Sequence, residues 1–170
     1  MSTDLLLRHL PVRDASFALT YGWLLIHPLA LAGILVFERR QLPYWLAVIG
    51  IFVLIRNLFL AFTPVGIPQD TLILYTEWPL TLIKGRMFFD NELFFSGHTG
   101  TPFLYFLICR KPWWGKYIYL ACSIAMATCV LITHNHYTID VMGAYFITYS
   151  IYAMSRRLLQ RLDPANGTTD

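Results

Sequence analysis

A short polar block, Ser96-Gly97-His98-Thr99, interrupts an otherwise apolar stretch and holds residues suited to phosphoryl chemistry. Imidazole gives or takes a proton near neutral pH, so His98 is a candidate general acid toward an alkoxide leaving group. If a helix begins here, its unpaired backbone N–H groups could bind phosphate oxygens, and the missing side chain of Gly97 lets a ligand approach them. We therefore predict that Ser96, Gly97 and Thr99 bind phosphate.

A second block, running from His134 through His136 and Tyr137 to Asp140, places two imidazoles and a carboxylate in close succession. If a helix begins near His136, the side chains of His136 and Asp140 meet on one helical face. A neutral imidazole could attack phosphorus, while the carboxylate holds the other ring nitrogen as N–H and stabilises the developing positive charge. The block predicts His136 as nucleophile and Asp140 as its partner, with His134 and Tyr137 in supporting positions.

One charged side chain, Arg56, lies inside a long apolar run. A guanidinium within a membrane span costs at least ~2.5–3.5 kcal/mol on insertion scales, so it needs an anion. The phosphate of a ligand would serve, because arginine binds phosphate oxygens in pairs. A carboxylate such as Glu77 or Glu92 would also serve, and both interpretations stay open. We predict that Arg56 binds substrate phosphate and that Glu92 supports the site.

The composition indicates which kind of fold must position these residues. Apolar residues make up 56% of the 170-residue chain, aromatic residues 16% and charged residues only 14%, with a net charge of +3. Soluble domains carry about 25% charged residues, so a water-soluble globule is excluded. The hydrophobicity excludes intrinsic disorder, and the basic residues form no stripe that would bind nucleic acid. The chain is predicted to be an all-α, polytopic membrane helical bundle.

Five apolar runs approach the length of about 20 residues that a membrane-spanning helix needs. They cover residues 17–37, 44–63, 93–109, 117–135 and 137–155. A further run at 71–83 is too short and too interrupted to span, which is typical of an interfacial or re-entrant segment. We predict one transmembrane catalytic domain over residues 1–162 and a disordered tail over 163–170.

The basic residues are distributed unevenly between the two ends of these runs. Most of them lie in the loops at 38–43 and 110–116 and after residue 155. The positive-inside rule places that end, with the C-terminus, in the cytoplasm. The polar blocks and Arg56 then lie toward the outer face, and the short loops favour a bacterial inner membrane.

Taken together, the two blocks resemble the signature motifs of the sphingomyelin-synthase-like branch of the type II phosphatidic acid phosphatase superfamily. Ser96-Gly97-His98-Thr99 is similar to the SGHT block of that branch, and residues 136–141 are similar to its HYTxDV block. The resemblance covers roughly residues 40–155. It implies a triad of His98, His136 and Asp140 on the exoplasmic side, with a phosphohistidine at His136 and no cofactor or metal.

The resemblance also implies the class of substrate. The expected partner is a membrane lipid, namely a phospholipid, phosphatidic acid or a sphingolipid, held in the bilayer. With water as the acceptor the enzyme would be a phosphatase, and with a lipid hydroxyl it would be a headgroup phosphotransferase.

Two alternatives from other functional classes remain at this point. The histidines, with Asp140 and Glu92, could instead ligate a metal in a metal-binding or transport protein. The chain could also be a non-catalytic, lipid-binding relative, although its intact motif histidines argue against that.

Overall fold

The computed structural model describes residues 4–63 and 94–160, which form α-helices joined by short turns. The helices are α1 (Ser16–Phe37), α2 (Leu42–Phe62), α3 (Gly97–Ile108), α4 (Gly115–Ile132) and α5 (Thr138–Leu158), and a 3₁₀ turn, Arg39–Gln41, precedes α2. These described residues contain no strand. The predicted all-α class is confirmed.

Three helical segments are long and apolar enough to cross a membrane, namely α1, α2 with its preceding 3₁₀ turn, and α4. Helix α5 has 21 residues but is more polar than these three. Helix α3 has only 12 residues, about 18 Å at 1.5 Å per residue, against a hydrocarbon core of ~30 Å. The expectation that residues 93–109 form one spanning helix is therefore wrong for α3, and the number of crossings stays a prediction.

Helix α3 is the centre of the bundle, because it packs most extensively against α4 and α5. Helix α1 lies against α4, and α2 lies against α5. The absence of a side chain at Gly100 makes the close approach possible. A Cβ there would lie 2.9 Å from Thr148 Oγ1 on α5 and 3.2 Å from the ring of Phe52 on α2. The short helix is thus enclosed by longer ones, which fixes the position of its N-terminus.

One end of the bundle is held together by the buried carboxylate of Glu38, between α1 and α2. It accepts hydrogen bonds from the backbone N–H groups of Arg110 (2.7 Å) and Lys111, and from Trp45 Nε1 (3.2 Å). The two basic loops at 38–43 and 110–116 therefore lie at the same end. Which side of a membrane this end faces stays a prediction.

Some predicted features fall outside the described residues. They are the interfacial or re-entrant segment at 71–83, the tail at 163–170, and the carboxylates of Glu77 and Glu92.

Candidate active site

The two polar blocks meet at the end of the bundle opposite Glu38. The backbone N–H of Ser96, just before α3, donates a hydrogen bond of 3.3 Å to the backbone carbonyl of Asp140, in the first turn of α5. Ser96 and Asp140 are both fully buried. The start of α3 and the start of α5 are therefore directly connected.

His136 and Asp140 come together, although the reason differs from the one expected. Helix α5 begins at Thr138, near His136 as expected, but His136 itself lies before the first helical residue. His136 lies in the turn before the helix, yet its Nδ1 is 3.6 Å from Asp140 Oδ2, and the two side chains are only 7% and 1% exposed. They meet because Asp140 folds back over the start of the helix, where its Oδ2 accepts the backbone N–H of Tyr137 at 2.9 Å.

Asp140 therefore caps α5 and faces His136 at the same time. The Oδ1 atom of Asp140 is buried and accepts no hydrogen bond from the described residues. The Nδ1 atom of His136 is also buried and has no hydrogen-bond partner among them. Catalytic hydrogen bonds are often long before substrate binds and shorten in the reacting complex. The geometry allows Asp140 to accept a hydrogen bond from the N–H at Nδ1. In that tautomer Nε2 carries the free lone pair of the ring.

Arg56 on α2 lies against the first residue of α3. A Cβ added to Gly97 would lie 2.9 Å from Arg56 Nε and 3.1 Å from its Cζ. The first backbone N–H groups of a helix have no intrahelical acceptor, and they carry the positive end of the helix dipole. A guanidinium and a helix N-terminus in contact form a site for an anion such as phosphate.

His98 is the second residue of α3 and is half-buried. Its ring centroid lies 4.8 Å from that of Trp23, on α1. Trp23 was missed by the sequence analysis, because one tryptophan among many apolar residues of a predicted span carries no distinguishing signal. The contact shows that α1 contributes one wall next to His98.

The hydroxyl groups of Ser96 and Thr99 face each other inside the bundle. Thr99 Oγ1 donates to Ser96 Oγ at 3.4 Å, and both residues are fully buried. The carbonyl of Thr99 also accepts the hydroxyl of Ser123 on α4, at 2.8 Å. These contacts hold the N-terminus of α3 against α4.

His134 closes the C-terminus of α4. Its backbone is in the left-handed region, with φ of 53°, and its N–H donates to Leu131 at 3.1 Å, while the N–H of Asn135 donates to Val130 at 3.0 Å. This pair of bonds is the Schellman arrangement that ends many helices. His134 therefore shapes the turn that leads to His136.

The metal-binding alternative requires several ligand side chains close together at one point. Within residues 4–63 and 94–160, no group of three histidine, cysteine or acidic side chains is placed to hold a metal ion. Glu92, one of the ligands expected for such a metal site, lies outside the described residues.

Comparison with known proteins agrees with the resemblance carried by the two blocks. Residues 91–157 match the protein-family model described as PAP2 superfamily C-terminal. A stretch of 71 residues is 39% identical to human phosphatidylcholine:ceramide cholinephosphotransferase 2, covering 39% of this chain and 20% of that protein. A stretch of 75 residues is 33% identical to mouse phosphatidylcholine:ceramide cholinephosphotransferase 1, covering 41% of this chain and 18% of that protein.

The matched stretch thus spans about a fifth of the length of these curated relatives. No solved structure matches the chain. The predicted resemblance is confirmed over the part of the chain that holds both polar blocks.

Proposed function

We propose that this chain, a relative of PAP2 superfamily proteins over residues 91–157, is a membrane enzyme that transfers a phosphorus-containing group from a lipid. The observation that carries the proposal is the hydrogen bond between Ser96 and Asp140, because it places the start of α3 beside the buried pair of His136 and Asp140. An anion site and a nucleophile with its orienting carboxylate then lie at one end of the bundle. That combination is what phosphoryl transfer requires.

In the first half-reaction, His136 Nε2 attacks the phosphorus atom of the lipid. A P–N bond forms, and the P–O bond to the lipid alkoxide, such as diacylglycerol, breaks. His98 gives its proton to the departing oxygen. Asp140 stabilises the positive charge that develops on the ring of His136.

In the second half-reaction, the O–H group of an acceptor attacks the phosphorus of phospho-His136. An O–P bond forms, the P–N bond breaks, and His98 takes the proton of the acceptor. Both imidazoles thereby return to their starting states. Water as the acceptor gives a phosphatase, and the hydroxyl of a second lipid gives a phosphotransferase.

Arg56 and the N-terminus of α3 bind the non-bridging oxygens during both steps. Negative charge accumulates on these oxygens in the transition state, so fixed donors lower the barrier. We propose that this site faces outward and that the C-terminus is cytoplasmic, because of the distribution of basic residues. The short loops favour a bacterial inner membrane.

The direct test is an assay of the full chain, reconstituted in vesicles, with ³²P-labelled phosphatidic acid or headgroup-labelled phosphatidylcholine. We expect diacylglycerol to be released and an acid-labile phosphoprotein to accumulate after rapid quenching. Lipid mass spectrometry then identifies the acceptor, since added ceramide gives a new phospholipid only if transfer occurs. Absence of turnover with every phospholipid offered would overturn the proposal.

The contact between Gly97 and Arg56 gives a second prediction. We expect Gly97→Ala to lower kcat/KM at least about tenfold, because the added methyl displaces the guanidinium and a shift of ~1 Å can cost up to ~10²-fold. Gly97 is helical, so alanine changes the space available and not the backbone.

Gly50→Ala is the matched control, because a Cβ at Gly50, also helical, meets nothing within 4 Å. We expect that variant to keep its activity and to gain up to ~1 kcal/mol of stability from its better helix propensity. Equal activity of the two variants would show that Arg56 does not act at the N-terminus of α3.

A further inference from the structure

The segment before α1 crosses the turn that carries His136. Residues 4–13 form an irregular turn, which we name the N-terminal brace, and its Leu7 is 1% exposed. Four hydrogen bonds, made by Asp4, Leu10 and Arg13, link the brace to the region between α4 and α5. The brace lies outside residues 91–157, so the family match does not account for it.

Asp4 makes the strongest of these links. Its Oδ2 accepts the backbone N–H of Thr138 at 2.7 Å, and its Oδ1 accepts the hydroxyl of Thr138 at 2.9 Å. Oδ1 also accepts the backbone N–H groups of Leu6 and Leu7, at 3.0 and 3.2 Å. One carboxylate thus caps its own turn and the first residue of α5.

The other two links connect the brace to the end of α4 and to the residues that follow it. The carbonyl of Leu10 lies 3.2 Å from His134 Nε2, and the N–H of Arg13 donates to the carbonyl of Ile132 at 2.8 Å. The contacted residues, Ile132, His134 and Thr138, precede and follow His136 in the chain. Residues on both sides of the nucleophile are therefore fixed by the brace.

We infer that Asp4 is a positioning residue for His136, acting through Thr138, an inference that rests on the proposed function. Asp4 acts on α5 through its two bonds to Thr138. It fixes the first residue of α5, and thereby the distance between His136, before the helix, and Asp140, in its first turn. Without the bonds between Asp4 and Thr138, His136 and Asp140 would still be neighbours, but the distance between their side chains would vary.

The charge of Asp4 agrees with this role. Partial burial alone would raise its pKa, but the hydrogen bonds from Thr138, Leu7 and Leu6 outweigh that effect and bring the pKa below its ordinary value. The carboxylate is therefore ionised at neutral pH. A negative charge at the N-terminus of α5 is favourable because of the helix dipole.

Asp14 offers a matched control within the same part of the chain. Its Oδ1 accepts the backbone N–H of Ser16, at 2.8 Å, and the hydroxyl of Ser16, which begins α1. The same chemical cap is thus present on a helix that does not carry His136. Removing it tests the loss of a cap at a helix other than α5.

The experiment compares Asp4→Ala, Asp4→Asn and Asp14→Ala in the full chain with labelled phospholipid. We expect Asp4→Ala to lower kcat by about 10- to 100-fold with KM changed less than about twofold, because misplacement affects the reacting geometry and not lipid binding. Asp4→Asn keeps one acceptor oxygen, so we expect it to recover part of kcat. Asp14→Ala is expected to stay within about twofold of the wild type.

Hydrogen–deuterium exchange separates this inference from the proposed function. If Asp4 holds the turn, Asp4→Ala raises the exchange of amides 134–140 and Asp14→Ala does not, whether or not the protein turns over lipid. Unchanged exchange in Asp4→Ala would overturn the inference even in an active enzyme. Faster exchange with an undiminished kcat would also overturn it, since the turn would then move without affecting His136.

Discussion

Replacing His136 with alanine is expected to lower lipid turnover by at least ~10³-fold and to abolish the acid-labile phosphoprotein, because the nucleophile is lost and water cannot be activated in its place. The side chain is buried, and its Nδ1 has no hydrogen-bond partner among the described residues, so its removal disrupts no bond of that nitrogen. We therefore expect the variant to fold and to bind phospholipid with an affinity close to that of the wild type.

His9→Ala is the control for this result. The exposed ring of His9 bonds the carbonyl of Leu5, at 2.7 Å within the N-terminal brace, and the bonds of the brace described above to the region between α4 and α5 are made by Asp4, Leu10 and Arg13. That variant should retain turnover and phosphoprotein. Rapid-quench labelling with ³²P-phosphatidic acid measures both. Persistent labelling in His136→Ala would place the covalent intermediate on another residue.

The second large effect concerns Asp140, where two substitutions separate its two contacts. In Asp140→Asn the amide oxygen still accepts the backbone N–H of Tyr137, so the cap is kept while the negative charge facing His136 is lost. We expect kcat to fall by ~10²-fold or more with little change in stability, in the range typical of a lost acid–base partner. Steady-state kinetics measure the fall in kcat, and thermal unfolding in detergent measures the change in stability.

Asp140→Ala removes both contacts. We expect the same loss of kcat together with a loss of about 1 kcal/mol of stability, the usual effect of removing a helix cap. If Asp140→Asn remains fully active while Asp140→Ala is unstable, Asp140 is a structural cap alone. The assignment of the triad would then be wrong for this residue.

The sequence predicts the helices well because each one is an apolar run that ends at charged or turn-forming residues. Glu38 follows α1, and Arg110 follows α3. The sequence predicts the extent of α3 poorly, because the apolar run at 93–109 includes Phe94 and Phe95, which precede the helix. Hydropathy reports burial, and these rings are buried or half-buried without being helical.

The sequence singles out candidate residues where local chemistry distinguishes them, and it misses residues that only tertiary contacts bring to the candidate site. His98, His136 and Asp140 are polar residues in apolar surroundings, so their types alone distinguish them. Trp23 and Asp4 are ordinary in their local context, and only the packing of α1 and of the N-terminal brace brings them to the site. The phosphohistidine and the phosphate contacts stay predictions.

The bond from Ser96 to Asp140 uses only main-chain atoms. Side-chain replacements that abolish chemistry therefore leave the starts of α3 and α5 attached to each other. An inactive form such as His136→Ala is expected to keep the arrangement of the wild-type site and to hold an unreacted lipid there. Such a form is a suitable trap for capturing the natural ligand from a membrane extract and identifying it by mass.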